Sequence, residues 1–214
     1  MLTPAIAAAY EMGARDLAQR TGVQVLTSPF PRGEGGGAVF HVSAEDFLAS
    51  AEEMQEEVFG PSTLVVDCSD GAKGDDGGNA TVLKAIAAVV HSLRGQLTAT
   101  VWGSSDDLTS ARDRGLLAAL EERAGRVLFN GYPTGVEVCA AMNHGGPYPA
   151  STIDETSVGT EAIRRFTRPV CWQDCPDALL PPELRDENPR NIARKVNGVL
   201  QRGPAEEHAA KQAI

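Results

Sequence analysis

The run GPSTLVVD, residues 60–67, holds the consecutive apolar residues Leu64, Val65 and Val66 between a Gly-Pro turn and an aspartate. A short apolar run with such borders is typical of a buried β-strand. Hydrophobic periodicity and capping residues then predict further elements on both sides of it. In chain order these are a helix at 4–21, strands at 23–26 and 38–42, a helix at 44–54, the strand at 64–66, a helix at 80–93, a strand at 96–102, a helix at 109–124 and a strand at 126–130. Helices that alternate with short strands predict a layered α/β sandwich.

The composition changes after residue 130. Residues 131–156 are rich in Gly, Pro, Thr and Asn and predict a long loop, which in a compact domain usually belongs to a working surface. A helix at 157–166 and a strand at 168–173 should follow the loop. We therefore expect a domain over residues 1–176 and a surface tail over 177–214.

The charge and the cysteines exclude several classes of protein. A net charge of −10 argues against nucleic-acid binding, which needs clustered Lys and Arg. No apolar stretch reaches the roughly 18 residues that a membrane span needs, and the first residues do not resemble a secretory signal. The 4 cysteines are irregularly spaced and do not predict a disulfide framework. A cytoplasmic protein in a reducing compartment is the expectation.

Three local patterns admit a functional interpretation but favour a structural one. Residues 33–38 fit the dinucleotide-binding spacing G-x-G-x-x-A, yet prolines precede them and a strand follows, which favours a hairpin connection. Cys171 and Cys175 with His144 form one loose pair of metal ligands, whereas zinc sites usually show two tight pairs. Cys139 could be a nucleophile with His144 as its base, but its small apolar neighbours favour an inert packed thiol.

The run EEVFGP, residues 56–61, admits two interpretations from its residues alone. On an extended backbone Glu57 and Phe59 point the same way, so a carboxylate could bind a ribose while a ring stacks beside it. Alternatively, the run is a turn whose Phe59 packs into the core, and the spacing by itself favours this second interpretation.

The same run resembles the E-x-F-G-P motif of the NAD(P)-dependent aldehyde dehydrogenase superfamily. Further segments follow in the order found in that family, and two of them look most like the α-ketoglutaric semialdehyde (2,5-dioxovalerate) dehydrogenase branch. The segments are GQLTAT at 95–100, RVLFNGYPTGV at 126–136, HGGPYPAS at 144–151, SVGT at 157–160 and RPVCWQD at 168–174.

The resemblance implies roles for three residues. Glu57 would match the glutamate that hydrogen-bonds the nicotinamide ribose of NADP or NAD, and Phe59 the ring beside the nicotinamide. Tyr148 would lie near an aromatic residue of the substrate tunnel. The strand at 168–173 would correspond to one near a subunit contact, because family members are dimers or tetramers. A homo-oligomer or a missing N-terminal polypeptide is therefore the expected partner, and an aldehyde the small-molecule ligand.

The sequence also departs from the family pattern. In the family a cysteine within G-Q-x-C attacks the aldehyde and a glutamate activates water. Both residues, the catalytic asparagine and the Rossmann cofactor domain lie upstream of the point that Met1 matches, and Gly95-Gln96 continues without a cysteine. Residues 70–78 resemble an insertion. No catalytic residue and no metal ligand is therefore assigned.

These departures predict the C-terminal part of an aldehyde dehydrogenase catalytic domain, inactive alone, that would act on a semialdehyde when completed. One alternative is a non-catalytic binding or oligomerisation module derived from the family. The other is a free-standing thiol or metal enzyme.

Overall fold

The computed structural model describes residues 3–27, 36–69 and 79–204. It contains two compact units, Met1–Phe166 and Thr167–Ile214. The boundary expected from the sequence, between residues 176 and 177, falls inside the second unit. No helix within the described ranges is long and apolar enough to cross a membrane.

The first unit follows the predicted order of elements. These are α1 Pro4–Ala18, β1 Gln24–Thr27, β2 Ala38–Ser43, α2 Ala44–Ala49, α3 Ala51–Met54, β3 Ser62–Asp67, α4 Asn79–Ser92, β4 Ala99–Val101, α5 Ser105–Asp113, α6 Leu116–Arg123, β5 Val127–Phe129 and a 3₁₀ helix at Thr160–Phe166. The predicted α/β content is thus confirmed, while the layered sandwich remains a prediction.

Capping and turn residues set the helix limits. The Thr3 hydroxyl accepts a hydrogen bond from the Ile6 amide at 3.2 Å, and Pro4 occupies the first turn of α1 as predicted. The single helix predicted at 109–124 is two helices, because Gly115 adopts φ +78° between them. The helix predicted at 44–54 likewise breaks at Ser50, where φ is −140°.

The first sheet has the order β1-β2-β3, with β1 antiparallel and β3 parallel to β2. Ala38, Phe40 and Val42 of β2 are buried, and the residues between them are half-buried. The buried face packs against α1 through Tyr10, and Phe47 of α2 packs beside Val42. One face of this sheet is therefore covered by helices.

The second sheet pairs β4 with β5 in parallel. Its apolar face packs against α4, α5 and α6. Helix α4 packs beneath both sheets. Leu83 and Ile86 contact the core beneath β4 and β5, while Val89, together with Leu93 just after the helix, contacts the core beneath β2 and β3. The two sheets thus share one supporting helix.

Up to residue 204, the regular elements of the second unit are a 3₁₀ turn at Asp177–Leu179 and the antiparallel hairpin of β6 Arg194–Val196 and β7 Val199–Gln201. Its buried centre is polar. Asn188 is 3% exposed, donates to the carbonyls of Ile192 and Gly203, and accepts from the Ile192 amide. Arg194 donates to the carbonyls of Arg185 and Asp186. Every buried hydrophobic residue of the described ranges lies instead between positions 10 and 124.

Two predictions for the region after residue 156 need correction. The strand predicted at 168–173 is wrong: these residues have no regular structure and all six are exposed. No strand of the described ranges pairs with them, and Pro169 cannot donate to a ladder. The helix predicted at 157–166 is a shorter 3₁₀ helix, Thr160–Phe166.

Candidate functional site

Glu57 and Phe59 lie in an irregular segment between α3 and β3, and both are exposed. Phe59 is 64% exposed, so the interpretation that it plugs the core is wrong. Val58 between them is half-buried and packs against the cluster that contains Tyr10. The backbone therefore turns one side chain inward and presents its two neighbours to solvent.

Two cavities meet at Glu57. One, of about 550 Å³, is lined by Glu57 and Phe59 together with apolar residues such as Leu17. The other, of about 610 Å³, is lined by Glu57 and Arg94 and by Pro149 from the long loop. The structure thus brings together Glu57 and Phe59, which the sequence singled out.

Tyr148 stands apart from both cavities. Its side chain is 81% exposed and is not part of either lining, although Pro149 next to it is. Its role in a substrate tunnel stays a prediction.

Gln55 fixes the segment that carries Glu57. Its Nε2 donates to the carbonyl of Ala51 at 2.9 Å and to that of Ser92 at 3.0 Å. Its Oε1 accepts from the Arg94 amide at 2.7 Å. We call these bonds the Gln55 latch. Because they join the end of α3 to the chain after α4, they define where Glu57 stands relative to the start of β4.

Arg94 is engaged by two acids beside the latch. Its Nε lies 3.0 Å from a Glu52 carboxylate oxygen, and a terminal nitrogen lies 3.1 Å from one of Glu56. The hydrogen bonds to Glu52, and then to Glu56, raise the pKa of Arg94. Glu57 has no cationic partner within the described ranges. Its carboxylate is therefore available to accept hydrogen bonds from a ligand.

Glycines allow the long loop to approach this site. A Cβ placed on Gly95 would overlap the carbonyl of Pro147, and one on Gly125 would overlap that of Gly145. The Ser151 hydroxyl accepts from the Gly146 amide at 3.2 Å and holds the turn. The resulting backbone contact carries Pro149 to the cavity wall.

A second anchor lies at the end of the long loop. Thr156 is 7% exposed, and its hydroxyl accepts from the His144 amide at 2.8 Å while donating to the Val158 carbonyl at 2.8 Å. This hydrogen bond closes the second half of the loop, from His144 to Thr156.

The other patterns of the sequence show no assembled chemistry. All four cysteines are free; Cys171 is exposed, and Cys139, like the other two, is half-buried. Burial, and then the charge of Asp67, raise the pKa of Cys68, which makes its thiolate scarcer at neutral pH. No group of three or more His, Cys, Asp or Glu within 3–27, 36–69 and 79–204 could hold a metal ion. Residues 33–35 of the glycine pattern and the insertion at 70–78 lie outside the described ranges.

Sequence comparison gives clear relatives. The chain is 46% identical over 202 residues to α-ketoglutaric semialdehyde dehydrogenase 2 of Azospirillum brasilense, covering 92% of this chain. It is 41% identical over 204 residues to the α-ketoglutaric semialdehyde dehydrogenase of Acinetobacter baylyi, covering 94% of this chain. It spans only 36% of the length of each relative. No protein-family model matches the chain.

Among solved structures, the Δ-pyrroline-5-carboxylate dehydrogenase of Mycobacterium tuberculosis shows a TM-score of 0.48 at 18% identity, over 77% of this chain and 27% of that one. The resemblance expected from the motifs is confirmed by the two curated relatives. Along nearly its whole length, this chain is similar to a C-terminal part of the α-ketoglutaric semialdehyde dehydrogenases, within the aldehyde dehydrogenases.

Proposed function

We propose that this chain supplies the nicotinamide-facing wall of an NAD(P)-dependent semialdehyde dehydrogenase site, and that further polypeptide completes the site. The observation that carries the proposal is the joint placement of Glu57 and Phe59, exposed on one cavity and separated by the inward-facing Val58. The names of the relatives indicate the substrate class, an aldehyde that also bears a carboxylate.

The residues fit the cofactor that the family uses. A carboxylate without a cationic partner can accept hydrogen bonds from both hydroxyls of a ribose. An exposed ring beside it offers a flat apolar surface for a nicotinamide. When bound, NAD(P)+ supplies the hydride acceptor of the oxidation. The Gln55 latch keeps the carboxylate and the ring in place, so the wall is organised before a ligand arrives.

The proposal assigns the nucleophile to other polypeptide. None of the cysteines stands in a G-Q-x-C context. The part of the relatives outside the matched 36% is long enough to hold both a nucleophile and a cofactor domain. In this proposal the first unit belongs to a layered α/β/α catalytic domain, and the chain alone does not convert the aldehyde. We place it in the cytoplasm, where its free cysteines stay reduced.

The test measures reduced nicotinamide formed from NADP+ or NAD+ with α-ketoglutaric semialdehyde. We expect none with this chain alone. We expect turnover when it is mixed with the part of the Azospirillum brasilense enzyme that lies outside the matched region. Turnover by the chain alone would overturn the proposal, and so would an inactive mixture in which the two polypeptides form a stable complex.

Substitution of Glu57 sharpens the test. Hydrogen bonds to a charged group contribute about 1.5–3 kcal/mol, so Glu57→Gln should raise the KM for the cofactor in the mixture by about 10- to 150-fold. Glu121→Gln on the exposed surface of α6 is the matched control and should leave KM unchanged. Equal KM values for the two variants would remove Glu57 from the site.

A non-catalytic interaction module remains a second candidate, because exposed aromatic residues favour it. Trp102 and Tyr132 are 57% and 75% exposed, and their ring centroids lie 5.2 Å apart. Clustered exposed rings are typical of interaction surfaces. A stable homo-oligomer of this chain in ultracentrifugation, together with an inactive mixture, would favour this candidate.

A further inference from the structure

The segment at 52–57 concentrates negative charge beside the proposed cofactor wall. Four of its six residues are glutamates, at positions 52, 53, 56 and 57. Of these four, only Glu56 and Glu57 line the cavities of about 550 and 610 Å³, and each of them lines both. NAD(P)+ carries an anionic diphosphate, and charges of one sign in a cleft repel a ligand of the same sign. Two adjacent free carboxylates would therefore weaken the binding of the cofactor whose ribose Glu57 is proposed to hold.

Arg94 engages the first of these two carboxylates. A terminal nitrogen of its guanidinium lies 3.1 Å from a Glu56 oxygen, while its Nε and its other terminal nitrogen donate to Glu52. Among the described residues that line the two cavities, Arg94 is the only cation. The positive charge beside the cavities is thus directed at Glu56 and away from Glu57.

Glu53 provides a comparison within the same segment. It forms an ion pair with Arg20, but it lines neither cavity. The side chains of Arg20 and Arg94 are 36% and 33% exposed, and each pairs with a glutamate of the same segment. Exposed ion pairs contribute little to stability. The two arginines therefore differ mainly in whether the acid that they neutralise borders the proposed site.

The side chain of Arg94 is separable from the Gln55 latch. The latch uses the main-chain amide of Arg94, which any residue except proline supplies. The hydrogen bonds to Glu52, and then to Glu56, raise the pKa of Arg94, so the guanidinium stays charged throughout the neutral range. A substitution of the side chain consequently removes a fixed charge and leaves the latch in place.

We propose that Arg94 is a positioning residue for the cofactor: it holds the Glu56 carboxylate and cancels its charge, so that Glu57 alone meets the ribose of NAD(P)+ as a free carboxylate. This role rests on the proposed function, because it presupposes that the cofactor lies against Glu57 and Phe59. Arg94 acts here through Glu56 and not by contact with the cofactor. Its loss would leave one more uncompensated negative charge at both cavities.

The size of the effect follows from the charges involved. Repulsion between unit charges about 10 Å apart in water changes an equilibrium constant about twofold. Because a diphosphate carries two such charges, Arg94→Gln should raise the Kd for NADP+ about fourfold at about 0.01 M ionic strength, where the Debye length is about 30 Å. At about 1 M, where that length is about 3 Å, the difference should nearly vanish.

Isothermal titration calorimetry without aldehyde measures these constants. The sample is the complete chain mixed with the part of the Azospirillum brasilense enzyme that lies outside the matched region, and NADP+ is the titrant. Arg20→Gln is the matched control, because it frees an acid that lines neither cavity, and it should leave the Kd nearly unchanged at both ionic strengths.

A second substitution separates charge from structure. Arg94→Gln combined with Glu56→Gln has the same net charge at the cavities as the wild type, so its Kd should return close to the wild-type value. Arg94→Lys keeps the positive charge and should also bind NADP+ nearly as the wild type does. A weaker binding that persists in both of these variants would assign a purely structural role to the guanidinium and refute the proposal.

The outcomes separate this role of Arg94 from the proposed function. Turnover by the mixture together with equal Kd values for Arg94→Gln and Arg20→Gln would refute the role of Arg94 and leave the proposed function intact. A loss of affinity that is as large at about 1 M as at about 0.01 M ionic strength would do the same. A mixture that binds no NADP+ would overturn the proposed function and the role of Arg94 together.

Discussion

Substitution of Gln55 by alanine should destabilise the first unit and release the segment that carries Glu57. The substitution removes both donations from Nε2 and the acceptance by Oε1. A typical intramolecular hydrogen bond contributes about 0.5–1.5 kcal/mol. Because Gln55 is only half-buried, water replaces part of what is lost. We therefore expect a loss of about 2 kcal/mol in the free energy of unfolding.

Urea unfolding followed by circular dichroism measures this loss. With a slope of about 2 kcal/mol per molar, the midpoint for Gln55→Ala should fall by about 1 M. The control is Gln24→Ala, which changes an exposed glutamine of β1 and should shift the midpoint little. Amide exchange across residues 55–60 should quicken in the first variant only. Equal midpoints and equal exchange in the two variants would refute the idea that Gln55 holds this segment.

Three further changes have expected outcomes. Phe40→Ala should cost about 3–5 kcal/mol in urea unfolding, because Phe40 is 1% exposed within the core. Hydrogen bonds from Ser104 lower the pKa of Asp107, so the stability gained from Asp107 is present above the unfolded pKa of about 3.9 and is lost as the pH falls through the lowered folded value. The stability difference between the wild type and Asp107→Ala, measured by urea unfolding from pH 6 to pH 2.5, should accordingly vanish at the acid end. Gly95→Ala should cost about 1–3 kcal/mol and speed proteolysis of the long loop, because the added Cβ overlaps the Pro147 carbonyl.

Each of these changes has a control on the same kind of element. Leu48→Ala alters a side chain that is 40% exposed and should cost much less than the change at Phe40. Asp106→Ala changes the other acid in the first turn of α5, which takes no part in the reciprocal hydrogen bonds between Ser104 and Asp107, so this variant should keep the pH dependence of the wild type. Gly131→Ala adds a Cβ with room around it and should leave proteolysis of the loop unchanged. If a control and its paired variant gave the same unfolding free energy, pH dependence or proteolysis rate, the corresponding prediction would be contradicted.

Local signals in the sequence were sufficient for most elements of the first unit. Thr3 and Pro4 begin α1 where the pattern predicts, and the apolar run at 64–66 lies within β3. The break at Gly115 has a local cause, the positive φ of this glycine. Hydrophobic periodicity does not reveal it, because the residues on both sides continue the helical pattern. The strand predicted at 168–173 fails for the opposite reason: a local pattern does not make a strand where none of the described strands pairs with it.

In the candidate site, too, some features follow from neighbouring residues and others from residues far apart in the sequence. The alternation of Glu57, Val58 and Phe59 is a local property, and the structure keeps both outer side chains exposed. The latch joins Gln55 to Arg94, whose positions are 39 residues apart, so its formation depends on how α3 and α4 pack. A glutamine and an arginine at such a separation carry no signal in a single sequence. The approach of Pro147 to Gly95 is hidden for the same reason.

The polar centre of the second unit has a thermodynamic consequence. Unfolding that exposes apolar surface raises the heat capacity, whereas exposure of polar surface lowers it. A unit organised around Asn188 and Arg194 therefore unfolds with a small net change in heat capacity. A plot of its unfolding free energy against temperature is accordingly only slightly curved. Calorimetry would register mainly the first unit. Opening of the hairpin would instead be visible in the exchange of the Ile192 amide, which the buried asparagine holds.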